Sequence, residues 1–282
     1  MNKGIILLIL ASVQLSFGQD LLSLLNEETS NSKVVTSIFK DNRVVNAQSS
    51  KQASKGEFKF LIQHRFGTLN SGFYNLWGLD NSQVRMGLDY GISDRLAVSV
   101  GRSSTNKQYD ASLKGKLINQ SDQSPVLLSV FSALFVAHPS QSVRQAADFD
   151  FLNQLSFANQ LIIARKFNSK LSAIVLPTHI HLNSFAAGTS ADPLFLGLGG
   201  RYKISKRVTV NGEYFYALSE MTTAHQNMLA LGVDIETGGH VFSLHLSNSR
   251  GMNEHTFLTQ TTGNFFDGDI YFGFNISRVF QW

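Results

Sequence analysis

Lys59, Arg65, Arg85 and Asp89 fall at alternate positions of two stretches, Glu57–Phe66 and Val84–Tyr90. Lys114, Lys116, Arg201 and Glu213 recur in the same way further along. In a β-strand, residues two apart point to one face. If these strands close on themselves, the charged side chains line a lumen. Two chemistries are open to them there. A ring of basic groups forms a constriction that selects solutes by charge and favours anions. Opposite charges can instead pair across a narrow interior and fill it, because a buried charge is stable only with a partner.

Other chemistry-bearing residues carry their own alternatives. His179 and His181 are two apart, so both imidazoles share a face, as two metal ligands would. Spacing offers no third ligand, and polar filling of the lumen or rim explains them as well. His64, among Phe60, Ile62 and Phe66, sits on the apolar side near a rim. A lipid-modifying hydrolase would need a Ser beside such a His, whereas an interfacial histidine at headgroup level needs no catalysis. Gly197-Leu198-Gly199-Gly200 lacks the following helix of a phosphate loop and suits curvature or close packing in a strand. Asp267-Gly268-Asp269 offers two carboxylates to calcium but also has the chemistry of a turn.

The elements that must position these residues show in the alternation. Ile270–Trp282 ends the chain with Trp282, Phe280, Ile276, Phe274 and Phe272 on one face, broken by Arg278, and Gln281, Ser277, Asn275 and Gly273 on the other. A bare aromatic C-terminus of this kind resembles the closing strand of an outer-membrane barrel. Similar alternation recurs in 84–90, 96–100, 109–117, 208–216, 229–235 and 242–246. Less regular stretches lie near 125–136, 150–165, 171–182 and 194–204. The count is about twelve, and even, as both ends of a bacterial single-chain barrel returning to one side require. Connections alternate in length. Those at 91–94, 119–124, 167–169, 205–206 and 237–239 are brief. Those at 68–82, 137–148, 183–192, 218–225 and 249–269 are long, with only 103–106 short among them. Long on one side and short on the other is the outer-membrane pattern. Two features strain it: 125–136 is apolar on both faces, and Asn153 and Asn159 fall on the lipid-facing side.

The totals agree. The chain has 282 residues, a formal net charge of +4, 22 Phe and no Cys. Its mean hydropathy is −0.03. No run of about 18 apolar residues occurs, which excludes a helical membrane protein. The basic residues are scattered singly, without the cluster that nucleic-acid binding needs. The lack of cysteine excludes disulfides, thiolate metal sites and a lipoprotein anchor. At the start, Lys3, the apolar run Ile5–Val13 and Ser16-Phe17-Gly18 follow the grammar of a secretory signal peptide, 1–18, with the mature chain starting at Gln19. Residues 19–55 are polar and form a mostly irregular periplasmic lead-in with one short apolar segment at Val34–Phe39 and room for one docked piece; the barrel occupies 56–282.

Several motifs carry a resemblance. They are His64-Arg65-Phe66-Gly67, Gly78-Leu79-Asp80, the run Val84–Asp94, and Gly101-Arg102-Ser103-Ser104 followed by Lys107 and Tyr109-Asp110. With Phe39-Lys40 and Arg43-Val44-Val45-Asn46 ahead of them, they resemble a family of uncharacterised outer-membrane β-barrel proteins from Bacteroidota, a domain of unknown function. The resemblance implies a fold and a compartment and assigns no catalytic residue.

The expected architecture is therefore all-β, a transmembrane antiparallel up-and-down β-barrel with both termini periplasmic. Its expected partners are outer-membrane lipid and the barrel-assembly machinery, with no cofactor or metal and no nucleic acid. Lys59, Arg65, Arg85, Asp89, Lys114, Arg201 and Glu213 are the candidate lumen lining. Phe272, Phe274, Phe280 and Trp282 are the candidate assembly signal. The expected function is a small-solute channel or uptake-accessory barrel with a basic lumen. A structural barrel with a charge-paired lumen is the alternative, and an outer-membrane lipid-modifying enzyme the third.

Overall fold

In the computed structural model, residues 34, 35 and 37–281 are described, the side chain of Gln281 excepted. The signal peptide, the lead-in up to Lys33, and Trp282 lie outside the described residues. Twelve strands form one closed antiparallel barrel: β1 (Glu57–Thr68), β2 (Ser82–Gly91), β3 (Leu96–Ser103), β4 (Tyr109–Ile118), β5 (Leu127–Val136), β6 (Leu155–Lys166), β7 (Leu171–Leu182), β8 (Leu194–Lys203), β9 (Val208–Ala217), β10 (Met228–Thr237), β11 (His240–Ser247) and β12 (Tyr271–Gln281). Each strand pairs with its sequence neighbours, and β1 meets β12 with Phe58 opposite Phe280 and Ile62 opposite Ile276. Closure leaves no unpaired edge, which a sheet in hydrocarbon requires.

Alternation sets the two surfaces. Met86, Leu88, Val100, Leu113, Val130, Leu198, Leu231 and Leu244 point outward and are exposed, forming an apolar belt around the barrel. Such a belt is stable facing acyl chains. Phe272 and Phe274 are on that side, near one end of β12, and Phe280 is near the other. The Arg278 guanidinium lies over the Phe280 ring, 4.8 Å from its centroid, and Arg165 lies over Phe167 at 5.3 Å. That explains how β12 carries an arginine on its apolar face: the charge reaches the rim and rests on an aromatic face there.

One expectation from the sequence is corrected. Asn153 is not on a strand; it lies in a single 3-10 turn, Phe151–Gln154, before β6. Asn159 does face outward and accepts a hydrogen bond from Ser132 at 2.8 Å, so the two polar groups satisfy each other. The apolar character of both faces of β5 also has a cause. Its inward residues Leu127, Phe131, Ala133 and Phe135 are buried in a core that lies inside the barrel.

Candidate functional site in the barrel lumen

The lumen is occupied by the chain's own residues. Between Val34 and Lys55 the segment runs into the barrel, where Asn42–Ser49 forms a small hairpin. Its arms are tied by Ser49 N–H to the Asn42 carbonyl at 2.9 Å, and its tip by Val44 N–H to the Ala47 carbonyl at 2.9 Å. The hairpin is two-sided. Val44, Val45 and Ala47, with Ile38 and Phe39 before them, join the apolar core, whereas Asp41, Asn42, Arg43, Asn46 and Gln48 are buried among polar groups. The lead-in, expected to be mostly irregular with room for one docked piece, contains such an ordered, buried element in its described part.

The predicted lumen residues converge on this segment. At its base, the Lys59 ammonium pairs with Asp41 and donates to the Asn42 side-chain oxygen at 3.1 Å. Asp89 accepts from the Asn42 amide at 2.6 Å. Lys40 pairs with Glu236. At the tip, the three successive N–H groups of Val45, Asn46 and Ala47 donate to the Glu213 carboxylate at 3.0, 2.8 and 3.1 Å. Consecutive amides turned the same way make an anion-binding nest, and here the anion is a side chain of the wall. Asn275 donates to the Val45 carbonyl at 2.9 Å, and Arg65 to the Asn46 side-chain oxygen. Arg201 donates to the Ile38 carbonyl at 2.7 Å, and Lys114 to the Lys51 carbonyl at 2.7 Å. Arg85 alone of the seven is held within the wall, by Asp110 and by Gln63 at 2.9 Å. Neither simple picture from the sequence describes this arrangement. The charges do not line an open path, and they pair less with one another across the lumen than with a segment inserted between them.

From the other end the lumen is closed by the β11–β12 connection. It turns inward as the short helix Glu254–Thr259, started by a capping box between Asn253 and Thr256. Phe257 and Leu258 are buried, and the Phe257 ring packs edge-on against Phe215, 5.4 Å between centroids. Glu254 meets the hairpin: it pairs with Arg43 and accepts from Gln48 at 3.0 Å. His255 is fixed by the Gln108 amide at 2.7 Å, whose oxygen accepts from Asn253 at 2.7 Å, so the ring is held neutral with Nδ1 as acceptor. Burial pushes this histidine down to about 4. The long connection expected to stand outside is thus partly inside, while its Phe265–Asp267 turn carries Phe266 and Asp267 exposed. Beside the hairpin a cavity of about 20 Å³ remains, lined by Asn42, Arg85, Asp89, Ser99 and Lys114, among others. That is room for about one water.

The other candidates fall elsewhere. His179 and His181 face outward near the end of β7 rather than into the lumen, and both contact one oxygen of Asp192, at 3.1 and 2.7 Å. Spacing could not show Asp192, because it comes from the next connection. His64 also faces outward, stacked on Phe274 at 4.8 Å. In the glycine run, a Cβ at Gly197 would come within 2.3 Å of the Phe215 ring, and one at Gly199 within 2.7 Å of Ile174. The run exists for close packing. Gly268 follows the 265–267 turn with φ 86°, a left-handed conformation that suits glycine.

A closed barrel with an apolar outer belt and a polar, occupied interior defines a membrane-bound β-barrel. The family described as Membrane bound beta barrel domain (DUF5777) matches residues 39–280, and the chain belongs to it. The matched stretch takes in the luminal hairpin together with the strands. Solved structures of similar architecture include the KdgM porin (7% identity, TM-score 0.47, 80% of this chain and 99% of that one) and the NanC porin (9%, 0.49, 80% and 99%). An outer membrane channel from Pseudomonas putida F1 is similar at 12% identity, with a TM-score of 0.49, over 86% of this chain and all of that one. These are likenesses of shape, and no residue or activity is transferred from them. No curated protein matches the chain by sequence.

Proposed function

We propose that the protein is a small-solute channel or uptake-accessory barrel of the outer membrane, held closed by its own luminal hairpin. The Bacteroidota compartment and the periplasmic termini follow the sequence resemblance and the alternation of connection lengths. The observation that carries the reading is the hairpin's mode of attachment. Six of the seven candidate lumen residues bind residues 37–51, and Glu236 and Glu254 pair with Lys40 and Arg43 of the same segment. Withdrawing it frees Lys59, Arg65, Lys114 and Arg201 against Asp89, Glu213, Glu236 and Glu254. It also takes away the contacts that seat the inward Glu254–Thr259 helix, and leaves a hydrated, charged passage. Twelve strands lie between the about 8 that side chains alone can fill and the about 16 to 18 of open porins. A barrel of that size closes only if something occupies it.

Planar-bilayer recording tests this. The wild-type chain should be nearly silent. Asp41→Asn with Arg43→Gln, which removes the hairpin's pairs with Lys59 and Glu254, should open it. Cysteines placed at positions 42 and 89, where the native side chains touch, should close it again on oxidation; the chain has no other cysteine. A loosened, folded variant that stays silent would overturn the reading. It would leave the structural one, which the apolar packing of Ile38, Phe39 and Val44 favours.

A further inference from the structure

The wall holds the inserted segment by two kinds of contact. At the base, contacts run side chain to side chain: Lys59 with Asp41, Asp89 with Asn42, Glu236 with Lys40. The others run mostly from the wall to the main chain, although Arg65 and Lys114 also donate to the side-chain oxygens of Asn46 and Gln48. Glu213 takes three successive backbone N–H groups. Asn275 donates to the Val45 carbonyl, Arg201 to the carbonyls of Ser37 and Ile38, at 3.2 and 2.7 Å, and Lys114 to that of Lys51. Main-chain groups are the same in every peptide. A surface that supplies an acceptor for amide N–H and cationic or amide donors for carbonyls recognises polypeptide without regard to its side chains, as strand-addition sites do. Beside it stand apolar groups, Phe215, Ile174 and Met228, against which any small side chain can rest.

From this arrangement we infer that the lumen is a peptide-binding site, and that the hairpin occupies it as an internal stand-in for a short peptide solute. The inference rests on the channel reading and names the solute class for it. A peptide's ammonium and amide N–H groups meet Glu213, and its carbonyls and carboxylate meet Asn275, Arg201 and Lys114. A neutral sugar can offer hydroxyls to Glu213 but has no ammonium for it and no carboxylate or amide carbonyl for Arg201, Lys114 and Asn275, so it forgoes the charge-assisted bonds that a peptide makes there.

The test uses the full chain carrying Asp41→Asn with Arg43→Gln, which alters only the hairpin and leaves the wall intact; Arg43→Gln alone is the milder form if the pair assembles poorly. Open-channel block is recorded with trialanine and with sucrose as the amide-free solute. Trialanine should block at least about tenfold more strongly than sucrose. Adding Glu213→Gln should weaken that block by a similar factor, as loss of a charge-assisted bond implies. Equal block by both solutes, or block unaffected by Glu213→Gln, would overturn the peptide site and leave the channel standing. Silence of both loosened variants, shown folded by their resistance to protease, would overturn the channel and this inference together.

Discussion

The inner wall is two different surfaces. On β5 to β8 the inward residues are mostly apolar, with Phe131, Phe135, Ile162, Ile174, Leu176, Ile180 and Phe195 buried as in a soluble core. From β9 through β12 and on to β4 they are mostly polar: Asn211, Glu213, Ser243, His245, Asn275, Lys59, Gln63, Arg65, Arg85, Asp110 and Lys114. One inserted segment satisfies both, with Val44 beside Gly199 of the first and its Asp, Asn and Arg on the second. The contrast shows what each contributes. Apolar burial is non-directional and worth about 25 cal/mol per Å², so it holds the segment inside without fixing its register. Hydrogen-bonded charges contribute less net stability but penalise every wrong placement, so they fix where the hairpin sits.

The largest effect should come from reversing charge on the polar arc. Arg65→Glu together with Arg85→Glu sets a carboxylate against Asp110 and another near Glu213. With each broken buried pair costing about 3 to 5 kcal/mol, thermal unfolding in detergent should shift down by far more than for any single change on the apolar arc. A small shift would mean that the charges are solvated and the two arcs are not different in kind. Phe215→Ala, an apolar change on β9 at the border between the two arcs, should cost about 3 to 5 kcal/mol. It removes the ring that fills the space over Gly197 and supports Phe257, while leaving the hairpin's register unchanged in protection from hydrogen exchange.

How much of this was legible follows the same division. The strands and their faces were readable because period-2 alternation needs only local sequence. The connection at 205–206 and the terminal strand stand where alternation puts them. The lumen charges were readable as a face but not in their pairing, because Asp41, Asn42 and Asn46 lie in a segment with no strand pattern of its own. Their partners are fixed only once twelve strands close. A signal was nevertheless present: a strand apolar on both faces, as 125–136 is, must bury its inner face against something. Ile38-Phe39 and Val44-Val45 were the apolar pairs ahead of the barrel with nothing else to cover them. The inward turn of 252–261 was hidden for the same reason, since Phe257 and Leu258 read as loop residues until Phe215 stands opposite.

Acidification should act on the joint between the two insertions. In the folded chain His255 is neutral and its Nδ1 accepts from Gln108; a proton there would face a donor. Its folded value of about 4 lies below the ordinary 6.5, so its contribution is complete above pH 6.5 and is lost as pH falls from 6.5 towards 4. The limit is roughly 3 kcal/mol. Protease cleavage within 252–261 should therefore increase between pH 7.5 and pH 4.5, and His255→Gln should flatten that dependence. An unchanged profile in the variant would assign the sensitivity to another group.

The smallest effect should be on the outer face, and it separates the two kinds of apolar surface. Phe280 and Phe215 are the same residue on opposite sides of the sheet, one 40% exposed at the rim beside Arg278 and the other 1% exposed in the lumen. Around Phe215 the environment is packed protein, so a void or a charge there is not relieved. Around Phe280 it is lipid and headgroups, which rearrange. A charge on the lipid face costs about 2 to 4 kcal/mol at the midplane and about 0 to 1 near the interface. Phe280→Asp at the rim therefore belongs to the second range, with Arg278 near enough to pair with the new carboxylate and reduce the cost further. Equilibrium unfolding from lipid vesicles should show a loss near 1 kcal/mol or less for Phe280→Asp, and several for Phe215→Asp. A loss of about 3 kcal/mol at Phe280 would place that residue in the hydrocarbon interior and move the membrane boundary toward the chain's end.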